Sequence, residues 1–187
     1  GTSGAVFISS KSFGVDDTNA LHAFAHADGG WHLMGCMLSA ASCNKWLLED
    51  IFRTRDHAAE QAPISEERLG HNHVFFLPYL MGERSPLLDS NARGAFIGLS
   101  AIHTRKDLLR AVMEGVTYSQ RQNLDVLRQM HVAPETMLAC GGGAKSPFWR
   151  KMMADVFNMP VKTVKNTEGP ALGAAILAGY GVGIYKD

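Results

Sequence analysis

Three consecutive glycines lead into a lysine and a serine in the stretch Cys140-Gly141-Gly142-Gly143-Ala144-Lys145-Ser146-Pro147-Phe148-Trp149. These residue types could handle a phosphate. A Walker-type loop needs G-x-x-x-x-G-K-[ST], with the last glycine touching the lysine. Ala144 breaks that contact, and no glycine stands at the required earlier position, so the P-loop reading fails on spacing. A dinucleotide fingerprint needs G-x-G-x-x-G. Gly141 and Gly143 fit it, but Ser146 takes the third place. Three residues without Cβ still permit unusual backbone angles and the close approach of a flat ligand. A helix starting directly afterwards presents unpaired N–H groups and the positive end of its dipole. The residues alone leave two readings open: a ligand-free strand-to-helix turn, and a seat for a nucleotide or phosphate.

Gly1-Thr2-Ser3-Gly4 has similar ingredients, namely small residues, free N–H groups and two hydroxyls, and a hairpin of this kind can clasp a phosphate. Other candidates read as structural. His22 and His26 are four apart, which suits metal binding on a helix, but their segment reads as extended, so packing is expected. His71 and His73 fall in a polar, solvated loop. Glu83 and Arg84 in Gly82-Glu83-Arg84-Ser85-Pro86 are expected to form a salt bridge that orders their loop, the alternative being that they approach substrate or phosphate. Trp31, Trp46 and Trp149 read as core or interface anchors.

The elements that must position these residues follow from pattern. Residues 1–10 read as a turn feeding a buried strand. Residues 23–35 read as two strands around the hairpin turn Asp28-Gly29-Gly30. Residues 36–52 have helical spacing. A short helix with loops is expected over 53–72. Residues 74–80 read as a buried strand interrupted by Pro78, and residues 95–99 as another short strand. The clearest helix runs from about Thr104 to Met130, opened by a capping box of Thr104 and Asp107. Residues 136–140 form a strand that enters the glycine turn. Ser146 is a natural N-cap and Pro147 a natural first helical residue. Asn158 and Pro160 stop that helix, and a strand follows over 161–165. The helix over 169–181 is so rich in glycine and alanine that close packing is expected of it. Strand, turn, helix, strand, helix is an α/β arrangement.

The chain has 187 residues, enough for one domain, with 46% hydrophobic and 19% charged residues. Lys plus Arg and Asp plus Glu are 18 each, so no basic surface for nucleic acid or membrane is expected. No apolar run approaches the ~18 residues of a membrane span. Cys36, Cys43 and Cys140 are scattered without a C-x-x-C pair, which disfavours a zinc ribbon or disulfide framework and fits a reducing, cytoplasmic setting. The opening without methionine, running straight into Ala5–Ile8, reads like the middle of a folded domain, and a fragment is expected.

In this order, these stretches resemble the C-terminal half of a kinase of the FGGY carbohydrate-kinase family. The most specific match is Gly94–Glu114: Gly94, Phe96, Gly98 and Leu99, then, after seven residues, Asp107, Leu108, Ala111, Val112, Met113 and Glu114. Residues 1–4 resemble the second phosphate motif, 141–155 the adenosine motif, and 169–179 the closing helix near the hinge. Residues 22–46 and 76–86 look most like the branch of the family that acts on D-xylulose, and gluconate kinases share a version of the second stretch. The resemblance implies an actin-like ATPase fold of RNase-H-like α/β domains, with a mixed sheet flanked by helices. It implies transfer of the ATP γ-phosphoryl group, with Mg²⁺, to the 5-hydroxyl of D-xylulose; the alternatives are another sugar substrate of the family, such as gluconate, and a catalytically silent nucleotide-binding protein of actin-like fold. Thr2, Ser3 and Gly4 would hold the β- and γ-phosphates. Gly98, Leu99, Gly141, Gly142, Gly143, Ala144, Lys145 and Ser146 would border the adenosine side. The family's catalytic aspartate and most sugar contacts lie upstream of the second phosphate motif, so no catalytic residue and no metal ligand is expected in this chain. The partners implied are D-xylulose, ATP, an N-terminal domain and, through the exposed cleft face, a second copy. The chain alone is expected to bind ATP weakly without turnover.

Overall fold

The computed structural model describes residues 2–64, 70–165 and 169–186; Gly1, part of the first candidate phosphate turn, lies outside them. Strand β1 (Gly4–Ser10), strand β2 (His22–Ala25) and strand β3 (Trp31–Met37) make an antiparallel sheet in the order β1-β3-β2, with Phe7 opposite Met34 and Phe24 opposite His32. The β2–β3 turn forms as expected. Gly29 has φ +84°, and the Asp28 carboxylate accepts from the Gly30 N–H at 2.9 Å. The inward face carries Val6, Leu33 and Met37, all buried. The outer face is open and Phe7 is 59% exposed, so β1 is half-buried rather than buried.

Helix α1 (Ala41–Lys45) continues as a π-helical turn, Trp46–Ile51, and helix α2 (His57–Gln61) follows, capped by Asp56. The helical spacing read over 36–52 therefore starts late. Cys36 and Met37 are held extended by pairing with Ala5 and Gly4, a constraint that periodicity does not carry. Strand β4 (Phe75–Leu77) pairs antiparallel with strand β5 (Ala95–Ile97). Only Phe76 of β4 is buried, stacked on Trp46 and tilted against Phe96.

Helix α3 (Arg105–Gln129) is the spine. Asp107 reaches back to the Thr104 N–H at 2.8 Å and its hydroxyl at 2.9 Å, the reciprocal cap read from the sequence. Leu109, Val112, Met113, Val116, Leu124 and Leu127 are buried along it. Two glycines let neighbours approach. A Cβ on Gly35 would sit 2.3 Å from Asn123 Oδ1, and one on Gly115 would sit 2.1 Å from the Phe76 carbonyl oxygen.

Strand β6 (Met137–Ala139), helix α4 (Pro147–Phe157) and strand β7 (Val161–Thr163) form a β-α-β unit with β6 and β7 parallel. Helix α4 docks on α3 through Trp149, whose Nε1–H donates to Thr117 Oγ1 at 2.9 Å. Arg121 and Arg128 of α3 donate to the Val156 and Phe157 carbonyls, satisfying the last turn of α4 and meeting its negative dipole end. Asn158 ends the helix in the left-handed conformation.

Two expectations change. The strands form three small sheets, antiparallel β1-β3-β2 and β4-β5 and parallel β6-β7, rather than one mixed sheet among the described residues. Helix α5 (Pro170–Gly181) does not pack closely along its length. Only Gly179 is buried, against the Tyr185 ring, while Leu172, Ile176, Leu177 and Tyr180 are exposed. A helix apolar on all sides belongs in an interior, and here its composition describes surroundings that the described residues do not provide.

Candidate functional site

Because β6 and β7 run parallel, their carboxyl ends lie side by side, and open α/β sheets hold ligands outside such ends. A cavity of about 170 Å³ is found there. Ala139, Cys140 and Gly141 line it from the end of β6, Thr163 and Val164 from the end of β7, and Ala144, Lys145 and Arg150 from the turn and first part of α4. The volume is below the ~300–1,000 Å³ of a complete small-molecule pocket, so these residues form one wall rather than an enclosure.

The glycine turn is built as its residues suggest. Gly141 takes φ +84°, Gly143–Lys145 make a 3₁₀ turn, and Ser146 caps α4 by accepting from the Trp149 N–H at 3.2 Å. A Cβ at Gly141 or Gly142 would meet nothing within 4 Å, whereas one at Gly143 would touch the Trp149 ring at 3.4 Å. The front of the turn is open and its back rests on an aromatic wall. Ala144 is buried, and its carbonyl accepts from the Arg150 guanidinium, which fixes a positive charge beside the cavity. The Ser146 hydroxyl also donates to Gln61 Oε1 at 2.7 Å, tying the turn to α2.

The other sequence-derived residues stand apart. Thr2, Ser3, Gly4, Gly98 and Leu99 do not line this cavity. Thr2 and Ser3 are exposed, and the Thr2 carbonyl accepts from the Ala40 and Ser42 N–H groups at 3.0 and 3.2 Å. Gly98 has φ +89°, and a Cβ there would lie 2.2 Å from the His73 carbonyl oxygen, so the backbone itself requires glycine. Leu99 is 53% exposed. Sequence reading missed Arg150, Thr163 and Val164. No local signal marked them; the parallel pairing of β6 with β7 is what brings the end of β7 beside the end of β6.

Most carboxylates near these elements have structural partners. Burial pushes the Asp16 carboxyl upward, but hydrogen bonds from Thr18, Ala20 and Leu21 outweigh it and hold the group below its ordinary range. Burial also acts on Asp107, and its bonds to Thr104 bring it below the usual value. Asp155 lies 3.6 Å from Lys151. Glu83 is buried and pushed up by that burial, only partly offset by bonds from the Leu38 and Arg84 N–H groups and by the nearby Ser119 hydroxyl. The expected Glu83–Arg84 salt bridge is not what orders the loop: Glu83 takes the backbone N–H of Arg84, at 2.7 Å, not its guanidinium. His22 stacks on Phe24 and His26 meets His32 edge-on, as aromatic packing on the open sheet face. Among the described residues no group of three or more His, Cys, Asp or Glu is placed to hold a metal ion, and no helix is long and apolar enough to cross a membrane.

A β-α-β unit with a Cβ-free turn at the strand ends, carried on a long central helix beside antiparallel strands, defines a mixed helix-and-sheet domain of the kind found in sugar kinases. The chain belongs to the FGGY family of carbohydrate kinases: the profile of that family's C-terminal domain matches residues 1–182. It is 39% identical to a xylulose kinase of Staphylococcus epidermidis over 188 residues, covering 100% of this chain and 38% of the relative. It resembles the crystal structure of a xyloylose kinase from Brucella ovis with TM-score 0.88 and 35% identity, over 99% of this chain and 38% of that one. A gluconate kinase from Lactobacillus acidophilus gives TM-score 0.85 and 29% identity, over 100% of this chain and 38% of the other. The chain thus spans about 38% of the length of the relatives it matches.

Proposed function

We propose that this chain is the nucleotide-holding C-terminal domain of a cytoplasmic kinase that transfers the γ-phosphoryl group of ATP to D-xylulose, giving D-xylulose 5-phosphate. The observation that carries the reading is the open, Cβ-free turn at the carboxyl ends of β6 and β7, leading into a capped helix. Likeness to xylulose kinases over the full chain supports the sugar. Likeness to sugar kinases supports an actin-like ATPase fold, and within this proposal the β1-β3-β2 sheet, the β6-β7 pair and helices α3 and α4 belong to its RNase-H-like half.

Phosphoryl transfer is mostly positioning and charge neutralisation. Gly141, Gly142, Gly143 and Ala144 present a flat wall to the adenosine, while Gly98 and Leu99 stand apart from that wall. Lys145 and Arg150 add positive charge at the cavity, and Ser146 keeps the turn in place. Thr2, Ser3 and Gly4 offer hydroxyl and N–H donors to the β- and γ-phosphates. Mg²⁺ would be held by the nucleotide's phosphates rather than by a carboxylate cluster of this chain. It offsets their charge when bound. The base that takes the sugar proton, the sugar contacts and the N-terminal domain lie outside this chain. A homodimer through the exposed apolar surface belongs to the same proposal. Gluconate is the second substrate reading, favoured by the similarity to the Lactobacillus acidophilus gluconate kinase.

Gly142 tests the nucleotide wall. It has φ −62° and ψ −41°, which any residue adopts, and open space in front of its Cα. Gly142→Leu is therefore expected to leave the melting temperature unchanged while lowering ATP affinity at least about tenfold, since a side chain would occupy the ligand's place. Unchanged affinity by calorimetric titration would remove the adenosine from this turn. A sugar panel on the full-length enzyme separates xylulose from gluconate.

A further inference from the structure

Glu83 lies in the loop between β4 and β5, far in sequence from either candidate nucleotide motif, yet it is only 3% exposed. Its Oε1 accepts from the Leu38 N–H at 2.9 Å and from the Arg84 N–H at 2.7 Å. Leu38 opens the short turn between β3 and α1. Two residues on, Ala40 donates its N–H to the Thr2 carbonyl, and Ser42 does the same. The turn also presses directly on the Thr2 segment: a Cβ on Gly4 would lie 2.8 Å from the Ala40 Cβ and 3.2 Å from Met37 Cγ. The Glu83 loop is itself anchored. Ser85 donates its N–H to the Cys36 carbonyl and its hydroxyl to the Ala20 carbonyl, and Asn123 of α3 donates to the Ser85 carbonyl. A continuous run of hydrogen bonds therefore leads from α3, through the Glu83 loop and the 38–42 turn, to the backbone of Thr2.

A buried carboxyl is costly to keep. Filling a gap in a loop would need only an apolar side chain. A carboxyl there makes sense where its oxygen must hold backbone N–H groups that have no other acceptor. Its second oxygen, Oε2, is buried without a hydrogen-bond partner meeting ordinary geometry, with the Ser119 hydroxyl of α3 beside it. We propose that Glu83 is the positioning residue of the Thr2–Gly4 phosphate loop: it fixes the Leu38–Ser42 turn, whose N–H groups hold the Thr2 carbonyl and so aim the loop's own donors outward. This rests on the nucleotide reading given above. Glu83 touches no substrate in this role, and it acts through two backbone segments.

The test compares Glu83→Ala with Glu83→Gln in the same chain. Gln keeps a carbonyl oxygen for the Leu38 and Arg84 N–H groups, and its NH₂ can donate to Ser119; Ala keeps neither. Three quantities are measured: affinity for Mg²⁺-bound ATP, affinity for adenosine, and hydrogen exchange at the Ala40 and Ser42 amides. Glu83→Ala is expected to weaken ATP about tenfold, in line with loss of a charge-assisted hydrogen bond. Adenosine affinity should stay within about twofold, because that end of the ligand sits on a different element. Exchange at Ala40 and Ser42 should accelerate, and Glu83→Gln should restore all three quantities toward wild type. Equal losses for ATP and adenosine, no loss for either, or a Gln variant as impaired as the Ala variant would each overturn the proposal. Should Glu83→Ala fail to fold, Glu83→Asp, one methylene short, is read in the same three ways. Wild-type protein that binds neither ligand would bring down the nucleotide reading and the phosphate role with it. Unchanged exchange at Ala40 and Ser42 in Glu83→Ala sinks the Glu83 link alone.

Discussion

Replacing Gly115 by alanine sets two effects of opposite sign against each other, and the structure says which wins. In a helix interior, alanine is favoured over glycine by about 0.8–1.0 kcal/mol. At Gly115, however, the new Cβ would lie 2.1 Å from the Phe76 carbonyl oxygen and 3.1 Å from its carbon. These are backbone atoms, and they cannot swing aside. Phe76 is held by pairing with Phe96 and by its ring against Trp46 and Phe96. On the helix side, the preceding residue Glu114 is tied to Arg110 at 2.8 Å and to the Gly70 N–H at 3.2 Å. Relief needs a separation of α3 and β4 by roughly 1 Å, at the scale where overpacking costs about 1–3 kcal/mol or more. The backbone clash and the rigid surroundings put the cost at the upper end, so a net loss of about 2 kcal/mol is expected. For a chain of this size that lowers the melting temperature by about 4–8 °C. Gly173 in α5 provides the control, because a Cβ there meets nothing within 4 Å. Gly173→Ala should be neutral or stabilising by up to ~1 kcal/mol. Thermal melts followed by circular dichroism measure both variants. If the two shift in the same direction, the close α3–β4 contact is not what selects glycine at position 115.

Asp16→Ala leaves the buried Ala20 and Leu21 N–H groups without their acceptor and is expected to cost about 2–4 kcal/mol by denaturant unfolding. Because the folded-state Asp16 carboxyl sits below its ordinary 3.8, its contribution is present above that pH and is lost as pH falls through the folded value. Wild type should therefore lose more stability than Asp16→Asn between pH 5 and pH 2; parallel loss in both would remove Asp16 as the cause. Burial, reinforced by the Glu83 charge, pushes the Cys43 thiol up to about 12, while Cys140 is exposed at the cavity. A thiol reagent at neutral pH should therefore label Cys140 first, with ATP slowing it and Cys43 untouched in the folded chain; rapid labelling of Cys43 would contradict its burial.

Local chemistry was enough to read the Asp28-Gly29-Gly30 hairpin, the Thr104–Asp107 cap, the glycine turn and the Ser146-Pro147 helix start. Each is decided by residues within a few positions of one another, and all four formed as read. The Gly94–Glu114 pattern likewise carried the family, because its spacing is long and specific. What depended on residues far apart in sequence was not legible. Cys36 and Met37 carry a helical pattern but pair with a strand more than thirty residues earlier. Glu83 looked like half of a loop-ordering pair with Arg84, and only the fold brings it to Leu38, 45 residues away. Arg150, Thr163 and Val164 joined the candidate site because two parallel strands end together, and pairing is a tertiary fact. The sequence determined the caps, the turns and the family, since those depend on short-range hydrogen bonding and backbone freedom. The tertiary structure decided which groups are buried, which carboxylates are already engaged, and which strand ends share a wall, since burial and long-range pairing exist only once the chain has closed on itself.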